Sequence, residues 1–496
     1  MVTGENMSNC DKFLAFDLGA ESGRGVVVSL VGDQVEMEEI HRFANRRVNM
    51  GGTIYWDFPA LLGEVLAGIG ICAGRGVVPA GISVDTWGVD FGLLGSDGKL
   101  LGNPVCYRDS RTDGIHDYSN RTMSTERVFE LTAYEPWAIS SLFQLLAMQR
   151  DESPLLGIAK RFLNMPDLFH YFLTGKAVSE MSILNTSNLM GTHCQWSREI
   201  IDAFSLPKMF GDVVEPTTVI GPLSETVQEE TGMKHAVPVI ATCGHDTSAA
   251  LAAVPAVGDN WAFLSCGTWS ILGTMVDKPV ATQRCLDLHF TNEYTIGGWY
   301  LAQNISGLWL VQELRRKWDK PSDPWDYNRI TAEARAAQTQ ALVNVADPSL
   351  MAPADMEQAL LELIAKTGQA APASRGELVR CVLESLALQY GVALESVAEL
   401  TGKRLASLYL VGGGIKNKLL CQLTADASGL AVYAGVDQCT AMGNALGQAL
   451  ALGILKTPAD IRRVMRASFE VITYQPSDEK TWQEKRLLYK KVISPK

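Results

Sequence analysis

Ten cysteines stand in this 496-residue chain without a single C-x-x-C pair, and no histidine accompanies any of them at a zinc-ligand spacing. They read as small buried hydrophobes of a reducing compartment, so a cytoplasmic location is the expectation and a reactive-cysteine enzyme is not. Basic charge is also scarce. The formal net charge is −12 and no basic stripe stands out, which argues against nucleic acid or an anionic membrane as a partner. The first apolar run, Phe13 to Phe16, is cut by Asp17, too short for a signal peptide or a membrane span, and Met1 to Asp11 reads as a loose polar lead-in. No segment is of low complexity. The familiar nucleotide motifs are missing too: there is no G-x-x-x-x-G-K-[ST] loop, no G-x-G-x-x-G after a strand, and no H-R-D or D-F-G set. A P-loop enzyme, a Rossmann dehydrogenase and a protein kinase are thereby excluded.

What remains is ordinary compact-protein composition, 47% hydrophobic and 20% charged, on a chain too long for one hydrophobic core. Two domains, or three, are expected. Strand-like runs alternate with helical ones, which predicts an α/β architecture. Strands are expected at 13–28, 34–43, 81–84 and 236–241, and helical spacing at 58–72. A helical middle region runs from Glu126 to about Phe172, broken at Pro136, Pro154 and Pro166. The second half begins near 254–258 and carries a long helix from about Glu377 to Leu400 closed by Gly402. The stretch 319–347, rich in Ala and Gln and poor in strand signals, reads as a helical insert.

Two stretches share a pattern. Phe13 to Val28 runs strand, small polar turn (Asp17-Leu18-Gly19-Ala20-Glu21-Ser22-Gly23-Arg24), strand, and Trp261 to Thr274 repeats it around Ser265-Cys266-Gly267-Thr268-Trp269-Ser270. Gly19 and Gly267 stand 248 positions apart (267 − 19), half the chain length of 496, a hint of duplicated halves. A run of Gly, Ala and Ser leaves backbone N–H groups open to an anion, with Asp17 placed for a metal and Arg24 for a charge partner. The other reading is a hairpin whose glycines serve only the turn. Val411-Gly412-Gly413-Gly414 between a strand and a helix admits the same two readings: a bare loop for a base or phosphate beside a helix N-terminus, or a tight turn. The acid/base candidates Asp17, Asp85, Asp90, Asp109 and Asp246 all fall on or near strand ends, where open α/β folds collect ligands.

The first hairpin, Val84-Asp85-Thr86-Trp87-Gly88-Val89-Asp90-Phe91, Tyr107-Arg108-Asp109-Ser110-Arg111-Thr112, Gly244-His245-Asp246-Thr247, the second hairpin and the Gly412–Gly414 loop occur in an order that resembles the FGGY carbohydrate kinases, from about Phe13 to Tyr474. The resemblance implies an actin-like ATPase (ribonuclease H-like) α/β fold of two domains with the active-site cleft between them: a sugar-binding domain at 12–253, a nucleotide-binding domain at 254–475, and a C-terminal helical tail at 476–496. It implies ATP and Mg2+, a small ketose as the other substrate, and transfer of the γ-phosphoryl group to the 1-hydroxyl of L-rhamnulose in rhamnose catabolism. L-Fuculose or D-xylulose is the rival substrate, and an actin- or heat-shock-type ATPase or a silent sugar sensor the rival class. Oligomeric state is left open.

Carried over motif by motif, Ala20, Glu21, Ser22, Gly23, Arg24, Thr268, Gln312 and Gly413 bind ATP. Gly88, His245, Asp246, Thr247 and Asn304 surround the sugar, and Asp17 is the metal's protein partner. A sugar hydroxyl must lose its proton as the O–P bond forms, so a carboxylate is needed as base. Asp246 is that base: it follows a strand, with Gly244 behind it and donors on either side, although an Asp there also reads as a helix N-cap. Asp85, Asp90, Arg108, Asp109 and Arg111 offer groups that a polyol can bond. Trp87 is either a platform for a sugar face or core. Glu21 and Cys266 stand where many members of the family have a small hydroxyl residue.

Overall fold

The computed structural model describes residues 10–494. The expected lead-in at Met1 to Asp11 lies outside the described residues up to residue 9, and Cys10 and Asp11 already belong to the first strand. The chain forms two compact units. One gathers residues 10–255, 276–300 and 438–468, and the other 256–275, 301–437 and 469–494.

The first unit is built on a six-stranded sheet in the order Thr218–Pro222, Pro238–Ala241, Gly81–Thr86, Cys10–Leu18, Ser22–Val31, Gln34–Ala44. Cys10–Leu18 pairs in parallel with Gly81–Thr86 and antiparallel with Ser22–Val31. Phe13 to Phe16 are wholly buried, because a strand covered on both faces carries a continuous apolar run in place of alternation. Helix Phe58–Gly74 covers this sheet; Asp57 caps it by accepting from the Ala60 amide at 3.3 Å, and a proline opens its first turn. Helix Cys439–Ala451 returns late in sequence to the same unit and sends Asn444 and Gln448 to Asp85 and the Leu14 carbonyl, at 2.7 and 3.1 Å.

The second unit carries strands in the order Gly298–Ser306, Trp269–Val276, Trp261–Cys266, Ser407–Val411, Ala431–Val436, Ile472–Tyr474. Again a central strand is followed by its antiparallel hairpin partner and flanked on its other side by a later, parallel strand. This repeated strand order accords with the duplicated halves at which the matched hairpins hint. Helix Arg375–Thr401 is long and apolar enough by composition to cross a membrane, yet most of it is buried as the core helix of this unit. Ser374 caps its start and Gly402, at φ 67°, ends it. The 319–347 stretch holds helix Tyr327–Ala336, and helix Glu479–Ile493 closes the described chain. All ten cysteines are free thiols.

Candidate active site

Strand register gathers the first unit's chemistry at one sheet end. Asp17 lies opposite Arg24 across the hairpin and beside Asp85 on the parallel neighbour. Arg24 donates through Nε and Nη2 to Asp17 Oδ2, at 3.0 and 2.7 Å, and its remaining nitrogen bonds Gln438. Arg24 is thus an oriented cation already paired with a carboxylate, while Asp17 Oδ1 makes no hydrogen bond among the described residues. The turn is tied internally by the Gly19 amide to the Ser22 carbonyl at 2.9 Å. Asn45 clamps it from outside, its amide side chain donating to the Gly19 carbonyl at 2.9 Å. Ala20 is half-buried and Ser22 exposed. Gly23 is glycine for packing, since a Cβ there would meet the Phe43 ring. Glu21 points to solvent, 68% exposed, and pairs with Arg47 at 3.2 Å and Arg108 at 3.7 Å.

Of the expected polyol-binding groups, most are already engaged by protein. Asp90 is fully buried and accepts from the indoles of Trp56 and Trp87, the Tyr107 amide and Gln144, at 2.6, 2.9, 3.2 and 3.0 Å. Burial pushes its carboxyl up to about 6 against those four donors. Trp87 packs against Trp56 with ring centroids 4.2 Å apart and is buried, which is the core reading and not the sugar platform. Asp109 accepts from the Ile54 and Arg111 amides at 2.8 and 2.9 Å, so it caps a turn. Arg111 bonds Gln144, and Arg108 lies over the Tyr107 ring. Asp85 differs: it is wholly buried with Oδ1 unpartnered. Burial first, and the neighbouring Asp17 charge second, hold its carboxyl well above the usual range. Gly88 precedes Val89, a β-branched residue at φ 69°, a conformation that costs on the order of 1–3 kcal/mol and persists only where surroundings enforce it. Here Thr186 accepts from the Val89 amide, and Ser141 and Gln144 donate to its carbonyl, at 2.9, 2.6 and 3.2 Å.

The Gly244 to Thr247 segment leaves strand Pro238–Ala241 and opens helix Asp246–Ala252. The Gly244 carbonyl accepts from the Thr86 amide at 2.9 Å, which joins the loop to the Asp85 strand. From below, Glu180 accepts from the Gly244 amide at 2.8 Å and from Ser182 N and Oγ at 2.7 and 2.6 Å; burial pushes its carboxyl up to about 7. A Cβ at Gly244 would crowd Pro166, Glu180 and Ile183. His245, not Asp246, occupies the N-cap position, and Asp246 Oδ1 accepts only from the adjoining Thr247 amide and hydroxyl, at 2.6 and 3.2 Å. The capping explanation of Asp246 therefore falls. Its side chain keeps 31% exposure, and His245 Nε2 stands 3.5 Å from Oδ1. Desolvation pushes this carboxyl above its usual range, His245 opposes and Asp17 adds to the rise; the open third of the side chain moderates the desolvation. Among the described residues no cluster of three or more His, Cys, Asp or Glu side chains could cage a metal.

In the second unit, Thr268, Gln312 and Gly413 line one cavity of about 850 Å3, and Thr268 Oγ1 donates to Gln312 Oε1 at 3.3 Å. Tyr327, Asn328, Thr331 and Arg335 line it from one face of helix Tyr327–Ala336, so the insert is a wall of the cavity. The three consecutive glycines divide their labour. Gly412 needs its φ of 82°, Gly414 lies where a Cβ would strike Cys266 Sγ, and Gly413 alone faces open space. Cys266 is buried beneath that loop, its thiol 4.0 Å from the Ser270 hydroxyl. Asn304 is exposed on strand Gly298–Ser306 and does not line the cavity. Asn45, Glu180, Glu293 and the helix 327–336 face went unread in the sequence. The only cue was a charge inside the strand-like run Phe290–Thr295.

The chain matches the FGGY family of carbohydrate kinases, N-terminal domain, over residues 12–253 and the C-terminal domain over 262–452. It is 41% identical to a rhamnulokinase of Bacteroides thetaiotaomicron, covering 97% of this chain and 99% of that one. It is 35% identical to a rhamnulokinase of Halalkalibacterium halodurans, over 94% and 99%. Among solved structures, a gluconate kinase of Lactobacillus acidophilus superposes with a TM-score of 0.81 at 17% identity, covering 98% of each chain. The glycerol kinase of Plasmodium falciparum with ADP gives 0.80 at 14% identity and the same coverage. Likeness at such identity speaks to the fold alone.

Proposed function

Because this chain belongs to the FGGY family of carbohydrate kinases, we propose that it is the ATP-dependent kinase of L-rhamnulose, giving L-rhamnulose 1-phosphate and ADP. The observation that carries the reading is Asp246: a carboxylate at a strand end, accessible, beside an imidazole and in a unit matching rhamnulokinases along its length. Asp246 takes the proton of the attacking 1-hydroxyl as the O–P bond forms. Burial, with the Asp17 charge, raises this carboxyl above its usual range, which makes it a stronger proton acceptor than a carboxylate in water. His245 and Thr247, with the backbone at Gly88, orient the sugar, and Asn304 adds a contact. Ala20 to Arg24 and Thr268 meet the ATP phosphates through backbone and hydroxyl donors, and Gln312 and Gly413 hold the nucleoside part beside helix Tyr327–Ala336.

Asp17 suits a magnesium ion that needs one carboxylate, with waters and phosphates completing its oxygen shell, because Arg24 occupies only Oδ2 and leaves Oδ1 available. When bound with ATP, that ion would neutralise charge on the phosphates. Ten free thiols accord with a cytoplasmic site of action. The test is a panel of ketoses with ATP under initial-rate conditions. L-Rhamnulose is expected to show the highest kcat/KM; a clear preference for L-fuculose or D-xylulose transfers the assignment to that sugar.

A further inference from the structure

The candidate base does not stand alone. His245, whose side chain is 11% exposed, lies between two carboxylates: Nε2 faces Asp246 Oδ1 at 3.5 Å, and Nδ1 stands 2.8 Å from Glu293 Oε2. The second contact has ion-pair distance, although it runs off the line of a hydrogen bond. Glu293 comes from strand Phe290–Thr295 and is buried. Its Oε2 accepts from the Tyr300 hydroxyl at 2.7 Å, and that hydroxyl lies 3.0 Å from Ser248 Oγ. Ser248 sits two residues after Asp246 on the same helix. The contacts form a ring: Asp246, His245, Glu293, Tyr300, Ser248 and back to Asp246 along the helix backbone.

We infer that Glu293 is a positioning residue for phosphoryl transfer, holding His245 in its cationic form with Nε2–H turned toward the Asp246 carboxylate. The inference rests on the reading of Asp246 as base. Its physics is a balance. Burial disfavours an imidazolium and is the largest single influence on His245. It is outweighed by the carboxylates around the ring, Glu293 first, then Asp246 and Glu180, which together raise the imidazole to about 9. Burial first, and Glu293 second, disfavour ionisation of the neighbouring phenols of Tyr300 and Tyr134, so neither competes for the role of anion; beyond this ring, Asp246 also interacts with the carboxyls of Asp17 and Asp85. The cation in turn opposes the desolvation and the Asp17 charge that push Asp246 up. Remove Glu293 and burial prevails: His245 becomes neutral at working pH, Asp246 loses its stabilising charge, and the base protonates at higher pH.

The test compares Glu293→Gln with the parent enzyme in full pH profiles of kcat and of KM for each substrate. We expect kcat at neutral pH to fall at least about tenfold, a part of the 10²–10⁴ that general-base catalysis supplies. The acid limb should move toward neutrality, KM for ATP should stay unchanged, and Glu293→Asp should recover part of the rate. A Glu293→Gln enzyme with a lowered melting temperature but an unshifted pH profile overturns the inference, since a merely structural carboxylate gives that result. Should Glu293→Gln not fold, histidine NMR of the wild-type protein decides. His245 must remain protonated above pH 8, and titration at or below about 6.5, the ordinary imidazole value, overturns the inference. The parallel variant Asp246→Asn separates the two claims. If it keeps near-normal turnover, the base assignment fails and the inference with it. If it is inactive while the Glu293→Gln profile is unshifted, only the role of Glu293 fails.

Discussion

Asp246 shows how a residue acquires chemistry from its neighbours. A carboxylate in water titrates near 4 and is a feeble base toward an alcohol. In this loop it is lifted by desolvation and by Asp17, and steadied by His245. Replacing it by Asn removes the proton acceptor while keeping shape and the bond from the Thr247 amide. Turnover in a coupled ADP-release assay is therefore expected to drop about 10³-fold, with an unfolding curve close to that of the parent. Neighbouring carboxylates teach the opposite lesson. Asp90 and Asp109 are type-for-type as good sugar ligands as Asp246, yet two indoles, an amide side chain and three backbone amides already occupy them. Nothing in the residue names separates the three; only the count of donors around each does.

At the scale of the element, glycine has two distinct uses in the same loop. Gly414 makes room for Cys266, whereas Gly413 has open space where a Cβ would stand and borders the cavity. The two alanine variants should separate accordingly. Gly414→Ala overpacks the loop and should lower stability by about 1–3 kcal/mol, seen as a depressed melting temperature without nucleotide. Gly413→Ala should leave that temperature nearly unchanged and raise KM for ATP. Equal effects of the two on melting temperature would refute the distinction. The first hairpin follows the same rule, for Gly23 accommodates the Phe43 ring. Its glycine was legible as a turn signal, but the reason for it was not, because Phe43 lies 20 positions away in sequence, opposite Gly23 on the next strand.

For the molecule as a whole, three buried ionisable groups of the first unit shift upward, whereas burial pushes His170 the other way, down to about 3. Glu180 is raised to about 7, Asp90 to about 6 and His245 to about 9. Each binds its proton more tightly folded than unfolded, so its contribution to stability is complete below the unfolded pKa and is lost as pH rises through the folded one. For His245 the window runs from about 6.5, the unfolded imidazole value, to about 9. Urea midpoints should accordingly fall between pH 6.5 and 9, and His245→Gln should flatten that slope. A midpoint that rises across this range in the parent, or a slope untouched by the substitution, contradicts the account.

The amino-acid sequence by itself determined the α/β alternation, the duplicated hairpins, the long core helix ended by Gly402 and the identity of the loop bearing Asp246. These are local matters: an apolar run, a turn residue or a cap is decided by the few residues beside it. Tertiary structure decided which groups are already satisfied. It gave Asp17 to Arg24 on one oxygen only, placed Trp87 in the core, turned the insert helix into a cavity wall, and set Glu180 and Glu293 on either side of the Gly244–Asp246 loop. Apart from the Asp17–Arg24 pair, seven positions apart across one hairpin, those outcomes depend on partners tens of residues away. Hydrogen-bond satisfaction and desolvation are properties of the space around a side chain, which the order of residues along the chain does not record.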